Sequence, residues 1–176
     1  MFALAACFPL LALGSVVWLR EPQAPSPSSG VGALAAVLRS RRFWAVSAVI
    51  FLWSFSPFLG TAQFYYQADA LKLSPVEIGC LATIGGLAGA LGAVLYGRLI
   101  GVWTLRQWLR AAVWIGVPLA LTYLLYWGFA SAVVVTAVAG LIGVALRLAL
   151  MDLAAQSCPP GAEAVTFAAY MSVFNL

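Results

Sequence analysis

Six hydrophobic runs, separated by short polar or proline-rich breaks, constrain this chain more than any other feature. Crossing the hydrocarbon core of a bilayer takes about 20 apolar residues, with a range of about 17–25. Phe2–Trp18 meets that need near its short limit and stops at Arg20 and Glu21. Phe43–Tyr66, Val76–Gly97, Trp108–Trp127 and Ala132–Ala155 meet it in full. Ala164–Leu176 begins a sixth run that ends after 13 residues, so the chain reads as part of something longer. Backbone groups in lipid must be satisfied within the segment, which favours helices. The expected fold is an all-α membrane protein, a multi-pass helical bundle.

Composition closes the alternatives. Of the 176 residues 64% are hydrophobic and 8% are charged, against roughly 25% charged in a soluble domain. Nine basic and five acidic side chains cannot cover the large surface of so small a globule. A soluble enzyme, a nucleic-acid module and a disordered tail are all excluded on this ground. The chain has no histidine, which removes histidine metal sites and histidine acid–base catalysis. Cys7, Cys80 and Cys158 are odd in number and form no CxxC, so they imply neither a disulfide framework nor zinc. Nucleophile elbow, P-loop, metal-ligand spacing and paired carboxylates are absent as well. The expectation is no enzyme, no metal and no cofactor. Leu4–Cys7 resembles a lipoprotein cleavage box, but it lies too near Met1 and lacks the positive n-region of a signal. Phe2–Trp18 is therefore expected to stay as a membrane helix.

Basic residues set the expected orientation. Arg20, Arg39, Arg41 and Arg42 lie between the first and second runs, and Arg98, Arg106 and Arg110 at or near the connection between the third and fourth. The opposite connections hold a single base, Lys72. The positive-inside rule places 19–42, 98–107 and 156–163 in the cytoplasm, and residues 67–75 and 128–131 on the other side. Glu21–Gly32 is the linker-like stretch, rich in Pro, Ser and Gly. Aromatic residues at the span ends, among them Trp44, Tyr66, Trp103 and Trp127, match an interfacial belt. Ser74-Pro75-Val76-Glu77 has the pattern of a capping box opening the third span.

Four features bear on function. Gly85, Gly89, Ala93, Gly97 and Gly101 recur every four residues, a small-residue stripe suited to close helix packing or to a sliding helix contact. Pro57 interrupts the second span beside Ser54 and Ser56, with Thr61 and Gln63 nearby; this predicts either a kink or a broken helix lining a cavity. Arg147 sits inside the fifth span, where a cation usually faces a bundle interior or a watery cavity. Asp152 lies five residues on, about 140° round the helix, so each charge is expected to find its partner on another helix. Arg147 is the candidate anchor for an anionic substrate, and Asp152 a candidate proton carrier; snorkelling to the interface is the plainer alternative for both.

Two groups of motifs resemble a known family. LKLSPVEIG, a Gly/Ala-rich span and YGRLIGVWTLRQWLR (71–79 and 96–110) resemble the outer turn, eighth helix and following loop of the major facilitator superfamily. The resemblance assigns Gly97, Arg98 and Arg106 to holding that loop, although its usual acidic residue is absent. AAQSCPPGAEAVTFAAYMSVFNL, with Pro159, Gly161 and Glu163, and FLWSFSPFLGTAQFYY, with Pro57, resemble the folate–biopterin transporter family within that superfamily. The resemblance implies a partial fold of about helices six to eleven of twelve. Residues 1–18 then match the sixth helix, 19–42 the central cytoplasmic loop and 43–176 the C-terminal half. It further implies secondary-active transport by alternating access, a small anionic pteridine or folate substrate, and the bilayer and an N-terminal half as partners. Arg147, Trp53, Ser56 and Gln63 are the expected substrate contacts. A superfamily transporter of a sugar, drug or other metabolite, and a non-transporting membrane scaffold, stay open as alternatives.

Overall fold

In the computed structural model, residues 30–55 and 59–175 are described, and regular structure among them is helical. The first run, Phe2–Trp18, lies outside the described residues, and so do Ser56 and Pro57. Helix α1 is Gly30–Arg39, α2 is Arg41–Ser54 and α3 is Leu59–Tyr65, continued by a π-helical turn over Tyr66–Ala70. Helix α4 is Pro75–Leu99, α5 is Leu105–Leu121 with a 3-10 turn over Thr122–Leu125, α6 is Phe129–Gln156 and α7 is Glu163–Phe174. Three segments, Pro75–Leu99, Leu105–Leu125 and Phe129–Gln156, are long and apolar enough to cross a membrane. The chain is an all-α membrane bundle.

Local chemistry accounts for the helix ends. The Ser74 amide donates to Glu77 Oε2 at 2.7 Å and the Glu77 amide donates to Ser74 Oγ at 3.3 Å, closing the expected capping box of α4. Thr104 and Gln107 build the same reciprocal cap on α5. Pro118 has no amide to donate, and α5 tightens into the 3-10 turn just beyond it. Thr122 Oγ1 ties that turn to the Leu119 carbonyl at 2.6 Å. The second span is interrupted: α2 ends at Ser54, and α3 begins at Leu59.

Two expected loops contain helix. Residues 30–39, inside the expected central loop, form α1, which buries Val37 in one apolar cluster with Phe43, Tyr170 and Phe174, the kind of tertiary packing that supplies most of a short helix's stability. The expected outer loop 67–75 begins as helix, with Gln67 buried and Asp69 in the π-helical turn. A turn that wraps five residues per hydrogen bond lets the chain close on Leu71 and Leu73 before Ser74 starts α4.

Packing is tightest between α4 and α6. A Cβ at Gly85 would stand 3.0 Å from Thr136, one at Gly89 would stand 2.8 Å from Val144, and one at Gly92 would overlap the Leu141 carbonyl. The complementary Gly140 would meet the Gly85 carbonyl at 2.5 Å. Gly97 and Gly101 meet nothing within 4 Å. A four-residue repeat advances about 40° per step on a helix of 3.6 residues per turn, so the stripe winds off the interface. Gly92, seven residues after Gly85, stays on the contact face and replaces Ala93 there. Beside this pair, Trp108 and Ala112 of α5 pack with Tyr96, Ala145, Leu146 and Ala149. Helices α1, α2 and α7 meet the end of α6 around Ile50, Leu150, Ala154 and Tyr170. The outward faces are apolar, and Leu52, Trp114, Leu124 and Trp127 are each more than 70% exposed. Such a surface suits lipid rather than water.

Candidate functional site

Two expected site residues meet in one place. Trp53 on α2 and Arg147 on α6, with Ser54 and Phe174, line an open cavity of about 200 Å³. Arg147 is exposed at its wall, and its guanidinium carbon stands 5.9 Å from the Phe174 ring centre, at the outer limit of cation–π attraction. The guanidinium is a fixed positive charge with five donors. Trp53 is held from behind by α5, since a Cβ at Gly116 would come within 2.6 Å of its ring. A side chain at Gly116 would push the indole out of this position. Phe55, the residue that follows α2, has extended backbone, and its ring packs at a tilt against Phe51 with ring centres 5.0 Å apart. The break thus falls directly after the two α2 residues that line the cavity.

The other expected residues lie elsewhere. Gln63 donates to the Tyr126 hydroxyl at 3.2 Å, and that hydroxyl shares a 2.5 Å hydrogen bond with Thr136. Tyr66 donates to the Tyr126 carbonyl at 3.0 Å. This buried tyrosine therefore fastens α3 to α6, and Gln63 is not in the cavity wall with Arg147. Asp152 Oδ2 accepts from the Tyr96 hydroxyl at 3.4 Å and from Gln156 Nε2 at 2.9 Å. Asp152 thus has one partner on α4 and one on its own helix. Gly85 and Gly89 lie in the α4–α6 contact, while Gly97, Arg98 and Arg106 are exposed. Pro159 and Gly161 shape the turn before α7, where Gly161 has φ of +82°, a conformation that favours glycine. Glu163 opens α7, and the amides of Glu163 itself and Gly161 hold its carboxyl below the usual carboxylate range.

Sequence reading missed Phe174, Gly116 and Tyr126. The first two are apolar or small residues in apolar runs, with no local pattern to mark them. Tyr126, next to Trp127 at the end of its run, belongs by position to the span-end aromatics. Among the described residues no cluster of three or more metal-ligating side chains occurs.

These elements define a class: a multi-pass helical membrane protein whose long helices pack through glycines and carry a cationic, aromatic-walled cavity. A family model described as the BT1 family matches residues 28–176, and the chain belongs to that family. It is 28% identical to a "Folate-biopterin transporter" of Synechocystis sp. over 100% of this chain and 39% of that protein. It is 30% identical to the "Probable folate-biopterin transporter 4" of Arabidopsis thaliana over 68% of this chain and 26% of that protein. A third relative, "Folate transporter 2" of Plasmodium falciparum, is 23% identical over 100% of this chain and 42% of that protein. The chain thus spans less than half the length of these relatives. No solved structure matches it.

Proposed function

We propose that this chain supplies the C-terminal part of a secondary-active transporter of folate- or biopterin-type solutes, working by alternating access. Transporters of that kind have two halves that rock about a site between them, and 43–176 is read as one half. The observation that carries the proposal is the cavity of Arg147, Trp53, Ser54 and Phe174, in a chain whose relatives bear folate and biopterin transporter names. A pteridine is flat and aromatic, and folate adds carboxylates. Trp53 offers a flat apolar face, and Arg147 a cation for an anionic group. The role is binding and translocation, not catalysis. Asp152, hydrogen-bonded by Tyr96 and Gln156 at the far end of α6, is proposed as the coupling carboxylate.

The test is uptake by the full-length protein. Labelled folate is expected to enter, unlabelled folate and biopterin to compete, and sugars and unrelated metabolites not to. Asp152→Asn is expected to make uptake indifferent to a pH gradient. Competition by an unrelated solute as strong as that by folate would refute the substrate class, and an undiminished pH dependence in Asp152→Asn would clear Asp152 of coupling.

We further propose that 19–42, 98–107 and 156–163 face the cytoplasm, on the distribution of arginines. Cys158 lies in the third of these segments, and burial, then the Glu163 charge, pushes its thiol above the ordinary value. The thiolate is the reactive form, so labelling of Cys158 should quicken with rising pH. With Cys7 and Cys80 replaced by serine, an impermeant maleimide should reach Cys158 in inverted vesicles only. Labelling in right-side-out vesicles would reverse the topology.

A further inference from the structure

A second cavity, separate from the one holding Arg147, opens at the arginine-bearing end of the bundle. It measures about 210 Å³ and lies between the α1–α2 junction and the turn leading into α7. Its polar wall is formed by Ser40, Arg42, Ser157, Thr166 and Tyr170. Three properties set it apart from a packing gap.

First, Tyr170 is fully buried, and its hydroxyl has no hydrogen-bond partner. A buried hydroxyl without a partner costs stability, so its retention needs an explanation. The ring stacks on Phe43 at 5.0 Å, and Arg42 and Cys158, both in the cavity wall, are within electrostatic reach of the hydroxyl. Second, Arg42 gives one N–H to the Gln156 carbonyl, a long contact of 3.4 Å, which leaves most of its five donors unengaged by that bond. Third, the cavity wall contains no carboxylate, and Arg39 and Arg41 flank Arg42 in sequence. Glu163, the nearby acid, is already held by backbone amides at the start of α7. The site is thus a positively charged cup with hydroxyls in its wall. It is smaller than the roughly 300–1,000 Å³ of sites for drug-sized ligands.

We propose that this cavity binds a phosphate group, with the Arg42 guanidinium and the Tyr170 hydroxyl as its donors. A guanidinium fork matches phosphate oxygens, and the hydroxyl supplies the buried donor. Two sources carry that chemistry: the headgroup of an anionic phospholipid and free phosphate or a small phosphate ester. Trp44, beside the site, is 59% exposed and donates its indole N–H to the Leu38 carbonyl at 2.7 Å. That amphipathic placement fits a headgroup region.

Cys158 lines the same cavity and reports occupancy directly. The full-length protein, with Cys7 and Cys80 replaced by serine, is placed in nanodiscs and labelled with a maleimide at alkaline pH. One arm compares phosphatidylcholine with phosphatidylcholine plus phosphatidylglycerol. The other adds inorganic phosphate, against matched chloride, to phosphatidylcholine discs. Slower labelling in the first arm assigns a lipid headgroup, and slower labelling in the second assigns free phosphate. Arg42→Ala is expected to weaken the protection about tenfold or more, the value of a charge-assisted hydrogen bond. Tyr170→Phe, which keeps the ring and its stacking on Phe43, is expected to weaken it severalfold. The proposal fails if neither arm slows labelling, or if protection survives in both variants. Should Arg42→Ala not fold, Tyr170→Phe decides alone.

Discussion

Gly92→Ala is expected to destabilise the bundle by about 3 kcal/mol, the upper part of the usual range for overpacking. The added methyl would overlap the Leu141 carbonyl, which is backbone and has no rotamer to change. The only relief is for α4 to move away from α6. That separation would also loosen the contacts of Gly85 with Gly140 and of Gly89 with Val144. Helices in lipid gain little hydrophobic energy from associating, so close packing is most of what holds them. Gly140→Ala should act the same way, since its Cβ would meet the Gly85 carbonyl at 2.5 Å. Gly97→Ala is the control, having no neighbour within 4 Å. The check is thermal unfolding of the detergent-solubilised full-length protein. Equal melting of Gly92→Ala and Gly97→Ala would dismiss the α4–α6 seam as the main source of stability.

Arg147→Ala is expected to lower folate uptake by about tenfold or more, while leaving the melting temperature near that of the parent. The guanidinium is exposed at the cavity wall, and its aromatic contact, 5.9 Å to the Phe174 ring centre, is a weak one. Its removal therefore costs the fold little. A charged hydrogen bond to a substrate anion contributes about 1.5–3 kcal/mol, and each 1.4 kcal/mol is tenfold in binding. Arg147→Lys should keep the charge but lose the paired-donor geometry, and so give intermediate uptake. The loss should appear mainly as a raised KM. Unchanged uptake in Arg147→Ala would remove this residue from the mechanism.

These two predictions differ in how far the sequence announced them. Arg147 stood out because a cation within an apolar run has few uses other than function or snorkelling. The glycine stripe was visible too, but its working members were not. Ala93, Gly97 and Gly101 belong to the repeat by spacing, whereas the contact face holds Gly85, Gly89 and Gly92. The repeat drifts round the helix, and only the crossing point on α6 shows where it stops mattering. Gln63 looked like a cavity residue because it follows the Pro57 break. Its amide instead goes to Tyr126, more than sixty residues away in the chain. No local pattern carries a pairing of that range.

The sequence by itself determined that the chain lives in a bilayer, that it is built of helices, and how α4 begins. Those properties rest on transfer energy and on hydrogen bonds between neighbours a few residues apart, and both are written locally. The tertiary structure decided which glycines touch, that Phe174 lines the cavity of Trp53 and Arg147 while Gly116 backs the Trp53 ring, and that Tyr170 lies buried beside Arg42. Each of these depends on the rotation and crossing of whole helices. In an apolar run nearly every position is equally suited to lipid or to a neighbour, so hydrophobic pattern alone leaves that rotation open.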